Sequence, residues 1–244
     1  MIWIDIVFLI LIGLVAGFVK GTSGFASSLV AIPLLFRLGV SASGVVTMMI
    51  TVNIILNLLL VNEHKESYNL KNIKTILPII IGGVIFTGVG LMLNEILADR
   101  VIQIIAFAMI ILAILVKSGI LKVQFKDTML NLFIVGILSG TGNGIASIDG
   151  PPVVLYLTGV NADKNRFKST LSIHFLVMGV VGVIILLIRG NYSSDVLLQT
   201  AYLLTGLVVG LYLGIFFSRK INEKQFTQIV LVILTGLAVT LLIP

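Results

Sequence analysis

The chain has 244 residues, of which 58% are hydrophobic and only 11% charged, and it carries a net charge of +6. A soluble domain usually has about 25% charged residues, so the composition excludes a soluble enzyme. The basic residues lie in short connections and not along one face, which excludes a nucleic-acid-binding surface, and the lack of cysteine excludes disulfides and thiolate metal sites.

Ten apolar segments follow one another: 2–19, 25–36, 42–61, 73–93, 101–116, 129–139, 148–157, 170–188, 196–217 and 226–243. The first has no basic region ahead of it and no small-residue cleavage site, and reads as a retained membrane segment. A full helical span needs about 20 residues. The second, sixth and seventh segments are too short for that, and each adjoins a glycine cluster. The expected fold is an all-α polytopic membrane protein with broken or re-entrant helices at these clusters.

Basic residues alternate between connections. Lys65, Lys71 and Lys74, then Lys117, Lys122 and Lys126, then Lys164, Arg166 and Lys168, then Arg219, Lys220 and Lys224 mark the third, fifth, seventh and ninth connections. The second, fourth and eighth carry one each (Arg37, Arg100, Arg189) and the sixth none. By the positive-inside rule the basic connections face the cytoplasm and both termini lie outside.

Two stretches resemble each other: "GFVKGTSGFASSLVAIPLL" from Gly17 and "GILSGTGNGIASIDGPPVVLYLTG" from Gly136. Gly17 and Gly21 match Gly136 and Gly140, and Gly24 matches Gly144 after one inserted residue. Pro33 falls opposite Pro152 or its neighbour Pro151. Further on, "LGVSA" (38–42) parallels "TGVNA" (158–162). The offset stays near 120 residues, so residues 1–120 and 121–244 read as two membrane repeats forming one transporter domain. Each holds about five apolar segments, and an odd number inverts the second relative to the first.

At these motifs the chain resembles the sulfite exporter TauE/SafE family. The residues that carry the resemblance are Gly17, Gly21, Gly24, Phe25 and Pro33, and Gly136, Gly140, Gly150, Pro151 and Pro152. The resemblance spans essentially the whole chain, including "GGVIFTGVGLML" and "TGLVVGLYLGIFF". It implies a multi-pass carrier of small, mostly sulfur-containing anions (sulfite, thiosulfate, organosulfonates) in a bacterial or archaeal cytoplasmic membrane. Ala26 and Ser27 stand where a run of glycines is often seen in that family, and Asn143 and Asp149 add polar side chains to the second motif.

The motifs have a physical use. Irregular backbone inside a membrane is tolerated only where protein buries it or a wet cavity meets it. Glycines would turn the chain there, and Gly150, Pro151 and Pro152 would restart it, since proline suits the first helical turn. Restarted helices aim free N–H groups and a partial positive charge at the break, which suits an anion. Lys20, Gly21, Ser23, Gly24, Ser27 and Ser28 from the first motif, and Thr141, Gly142, Asn143 and Ser147 from the second, would line that site. The alternative use of the small residues is close helix packing.

Lys20 reads either as an anion attractor within the membrane or as a side chain that snorkels to the surface. Asp149 reads as the cap of the restarted helix or as a proton-coupling group, with a salt bridge to Lys20 as a further option. Asn53 and Asn57 share one face of the third segment with the polar Thr47 and Thr51 nearby, and Ser169, Thr170, Ser172 and His174 stand in the equivalent eighth. These polar faces would wall the site, with Asn53 and Asn57 among its substrate-binding residues. His174 reads as an interhelical hydrogen-bonding group or a proton relay, and His64 as a solvated side chain.

The expected function is therefore secondary transport of a small anion across the lipid bilayer, export before import, by alternating access around a midplane site and driven by a proton or other ion gradient; an uncoupled anion channel on the same fold is the alternative. "GTSGFASS" lacks the GK[ST] of a P-loop, no second carboxylate or Ser/His pair accompanies Asp149 as an enzyme would need, and no cofactor is called for.

Overall fold

The computed structural model describes residues 3–63, 76–218, 220, 228 and 231–238. Its helices are α1 (Trp3–Ser23), α2 (Ser27–Arg37), α3 (Ala42–Glu63), α4 (Leu77–Ile96), α5 (Asp99–Lys117), α6 (Met129–Ala146), α7 (Gly150–Gly159), α8 (Lys164–Ile188) and α9 (Ser194–Ser218). Residues 228 and 231–238, inside the tenth expected segment, are helical too; the rest of that segment, His64, Lys65, Lys71, Lys74, Arg219 and Lys224 lie outside the described residues. Seven of the helices, all but α2 and α7, are long and apolar enough to cross a membrane. Large apolar side chains cover their outer faces at helical spacing, as in Phe8, Leu11 and Val15 on α1 or Ile81, Ile85, Val89 and Met92 on α4. In water that belt would be costly; against lipid it is the expected surface.

One boundary differs from the sequence expectation. The sixth segment was too short to span, but α6 runs on through Gly140, Gly142 and Gly144 to Ala146. These glycines do not turn the chain. A Cβ at Gly136, Gly140 or Gly144 would collide with backbone of α4 at Ile79, Gly83 and Thr87. On α1, a Cβ at Gly13, Gly17 or Gly21 would collide with the carbonyls of Leu203, Leu207 and Leu211 on α9. The contact is reciprocal: Gly206, Gly210 and Gly214 of α9 meet Ile10, Leu14 and Phe18 of α1, and Gly82 and Gly90 of α4 meet Phe133 and Thr141 of α6. Small residues at four-residue spacing thus let two pairs of helices pack backbone to backbone, the way membrane helices associate where no hydrophobic drive exists between them.

The turning is done by one residue in each motif. Gly24 has φ +85 after α1, and Ser147 has φ 51 after α6. Each donates its N–H to the carbonyl four residues back, Gly24 to Lys20 and Ser147 to Asn143, both at 2.7 Å. The turn after α6 thus falls three residues beyond Gly144, the residue that the sequence alignment sets against Gly24. The two short helices also close alike. After α2, Gly39 donates to Phe36 and Val40 to Leu35; after α7, Asn161 donates to Thr158 and Ala162 to Leu157. Gly39 and Asn161 both have positive φ, so both ends are Schellman caps. The sequence register, which sets Gly39 against Gly159, is two residues off this geometry.

The connections gather at two ends. Arg189 pairs with Glu95 at 3.0 Å, and Asn191 donates to Ser43 at 3.2 Å, joining the eighth connection to the end of α4 and the start of α3. At the other end the fifth connection straps the end of α7. Phe125 donates its N–H to the Gly159 carbonyl at 3.2 Å and lays its ring beside Tyr156. Asp127 accepts from the Tyr156 hydroxyl at 2.7 Å and takes both guanidinium nitrogens of Arg166, on the first turn of α8. Asp163 caps that turn by accepting from Asn165 and Arg166 N–H, each at 2.9 Å.

Two outcomes are expected. Gly210→Ala forces α1 and α9 apart and costs roughly 1–3 kcal/mol or more, whereas Gly88→Ala, whose Cβ would meet nothing nearer than Ile185 Cδ1 at 3.7 Å, leaves thermal unfolding in detergent unchanged. Hydrogen bonds from Arg166 hold the Asp127 carboxyl below its ordinary range. Its stabilising contribution is thus complete above the ordinary carboxylate pKa of about 4 and vanishes as pH falls through the depressed value. Asp127→Asn is expected to lower the melting temperature near neutrality and by less at the acid end, read from melting curves across pH.

Candidate functional site

The two breaks meet. A Cβ on Gly150, the first residue of α7, would stand 2.7 Å from the ring of Phe25, just ahead of α2. Around the first break, Lys20 is 2% exposed although it carries an ammonium group. It does not snorkel: Lys20 Nζ donates to Asn53 Oδ1 of α3 at 3.0 Å. Ser27 Oγ donates to the same oxygen at 3.0 Å, and Asn53 Nδ2 donates to Ser28 Oγ at 3.1 Å. One asparagine therefore holds the end of α1 and the start of α2 together. Lys20 also sits in the last turn of α1, where a cation complements the negative end of the helix dipole. The first turn of α2 (Ser27 to Val30) presents N–H groups without intrahelical partners beside it.

The second break is built differently. Asp149 occupies the N-cap position of α7 but its side chain makes no capping bond. The capping role is not made, because the first turn offers it little: Pro151 and Pro152 have no N–H to give. For the same reason this end is poorer in donors than the sequence pattern suggests, with only Gly150 and Val153 among its first four residues able to donate. The Asp149 carbonyl instead accepts from Ser139 Oγ at 2.8 Å, and Ser139 Oγ lies 2.8 Å from His174 Nε2. Since Ser139 gives its proton to a carbonyl, it accepts from His174, which puts a ring hydrogen on Nε2. Lys20 and Asp149 form no ion pair within 4.0 Å, but each lies in the other's electrostatic field.

The other expected site residues have separate partners. Ser23 Oγ bonds to the Val19 carbonyl at 2.7 Å and accepts from Ala26 N–H at 3.2 Å, shaping the turn. Thr141 bonds back to Ile137 in its own helix. Asn143 donates to Thr87 across the α4–α6 seam at 3.4 Å. Gly21 packs on Leu211, and Gly142 on the Ile148 carbonyl and Met109. Pro33 lies inside α2. Buried side-chain atoms without a partner are found on Asn57 (both amide atoms), Ser147, Thr170 and His174 (Nδ1).

Four buried polar groups were not singled out from the sequence: Ser139, Thr87, Thr200, which bonds back to Val196 in its own helix, and Asn94, whose Nδ2 donates to the Ile145 carbonyl at the end of α6 at 2.7 Å. Ser139 and Asn143 lie four apart, on one face of α6, and that spacing was the available signal for Ser139. Asn94 and Thr87 carry no such signal, because their partners lie across a helix seam.

The sulfite exporter TauE/SafE family model matches residues 9–241 of the chain. No curated protein and no solved structure matches it.

A Ser at positive φ costs roughly 1–2 kcal/mol that glycine does not pay, and Ser147 Oγ has no partner to lose. Ser147→Gly is expected to raise the melting temperature in detergent, and a fall would show that the hydroxyl contributes to the fold.

Proposed function

The chain belongs to the sulfite exporter TauE/SafE family, a family of membrane transporters and not of enzymes, and we propose that it carries a small sulfur-containing oxyanion by alternating access around the paired breaks. The observation that supports this most is the buried Lys20, held beside the first turn of α2. An ammonium costs roughly 2.5–3.5 kcal/mol at the centre of a bilayer on insertion scales. A packing role would not call for it, since the neighbouring glycines already close the α1–α9 seam. Together with the Ser27 and Ser28 hydroxyls and the α2 N-terminus, it offers convergent donors suited to sulfite or a sulfonate.

The inverted-repeat reading belongs to the same proposal. It is supported by the reciprocity of the packing: α1 pairs with α9 as α6 pairs with α4, and α3 meets α8. The equivalent breaks at Gly24 and Ser147, and the equivalent closures of α2 and α7, support it as well. In this arrangement Lys20 and Asn143 hold corresponding places, so the repeats supply unlike donors to one site. We also propose that the strapped end, with its lysines, faces the cytoplasm, and that Asp149 and His174, brought together where Ser139 bonds the Asp149 backbone carbonyl and the imidazole, supply the proton-coupling groups.

Proteoliposomes loaded with labelled sulfite, thiosulfate or sulfoacetate test the reading under an imposed pH gradient. Flux of at least one anion is expected, with Lys20→Met reducing it by about tenfold or more while the protein still inserts. No flux of any of the three would sink the proposal; flux indifferent to the gradient would make the chain a channel.

A further inference from the structure

Asn53 makes bonds unusual for a side chain that only fixes helices. Its Oδ1 accepts from an ammonium (Lys20) and from a hydroxyl (Ser27), each at 3.0 Å. That is the set of donors one oxygen of a bound oxyanion would take. The amide oxygen is neutral, so an anion adds Coulombic attraction to the Lys20 ammonium and turns the Ser27 bond into a charge-assisted one, about twice as strong as a neutral pair. A charged oxygen therefore competes well for the same two donors. Lys20, Ser27 and Asn53 are all buried, so an anion reaches the first two only if the amide moves away.

The amide has somewhere to go. Asn57 lies one turn further along α3, four residues on and on the same face, about 5–6 Å away at Cβ. It is 1% exposed, and both its Nδ2 and its Oδ1 lack partners. A primary amide there can give one hydrogen bond and take one, which is what a released Asn53 amide needs.

We infer that Asn53 is an internal stand-in for the transported anion: its amide oxygen holds Lys20 and Ser27 until an oxyanion displaces it, and Asn57 receives the displaced amide. This rests on the reading that the anion binds at Lys20. The stand-in reduces apparent affinity, because only the fraction of molecules with the amide released can bind. It also keeps the buried ammonium satisfied whenever the anion has left.

Sulfite binding to the full chain in detergent, followed by calorimetry, tests this with four proteins: wild type, Asn53→Ala, Asn57→Leu and the double variant. Asn53→Ala is expected to bind sulfite about tenfold tighter. Asn57→Leu is expected to bind about threefold weaker or worse, and to have no effect once Asn53 is already alanine, since nothing remains to be received. Weaker binding by Asn53→Ala makes Asn53 a direct ligand and overturns the inference. An Asn57→Leu effect of equal size in both backgrounds does so as well. If Asn53→Ala does not fold, Asn57→Leu alone decides: weakened binding supports the displacement and unchanged binding overturns it. A wild-type chain that binds neither sulfite, thiosulfate nor sulfoacetate removes the Lys20 site itself, a result distinct from binding with the wrong variant order.

Discussion

Backbone pressed against backbone is the constraint on which the rest of this molecule depends. Leu203, Leu207 and Leu211 turn their carbonyls onto the bare Cα atoms of Gly13, Gly17 and Gly21, and α4 and α6 meet in the same manner. In lipid there is little hydrophobic gain from bringing two apolar helices together, so association relies on close van der Waals contact. These seams fix α1 and α6 rigidly, and those are the two helices that end at the breaks. A break inside a membrane leaves backbone groups without helical partners, which is tolerable only where protein covers them. The seams thus hold in place the ends from which the polar residues project.

On that scaffold the two breaks divide the chemistry between them. The first holds the cation, the hydroxyls and a helix start whose N–H groups are intact. The second holds the acid, the imidazole and a helix start robbed of donors by Pro151 and Pro152. On the function proposed above, one side of this asymmetric site recognises a negative charge and the other handles a proton. It also places the acid at the start of α7, where its side chain makes no capping bond.

Much of this was legible in the chain. The short second and seventh helices and the restart at Gly150–Pro152 followed from composition and spacing. The role of the glycines was read only in part. Their density beside Pro151–Pro152 suggested helix breaking, but helix breaking and close packing draw on the same residue, and only the partner's position separates them. Gly17, Gly21, Gly136, Gly140 and Gly144 face a neighbour's backbone, while the second turn falls on Ser147, a residue type with no strong preference for positive φ. Lys20 could not be settled from sequence either. Whether a lysine near a helix end snorkels depends on what stands opposite, and Asn53 is 33 residues away in the chain.

The strap between α5 and α6 lies at the junction of the two halves of the chain. Its residues form no helix, yet Phe125, Asp127 and their partners on α7 and α8 bind it residue by residue. A linker normally tolerates insertions because its backbone is solvated and unattached. This one has a fixed length. The second half of the chain cannot be separated from the first by a spacer, or given new ends at this point, without unfastening the far end of the helix whose near end meets the first break. The join between the halves is thereby part of the machinery it connects.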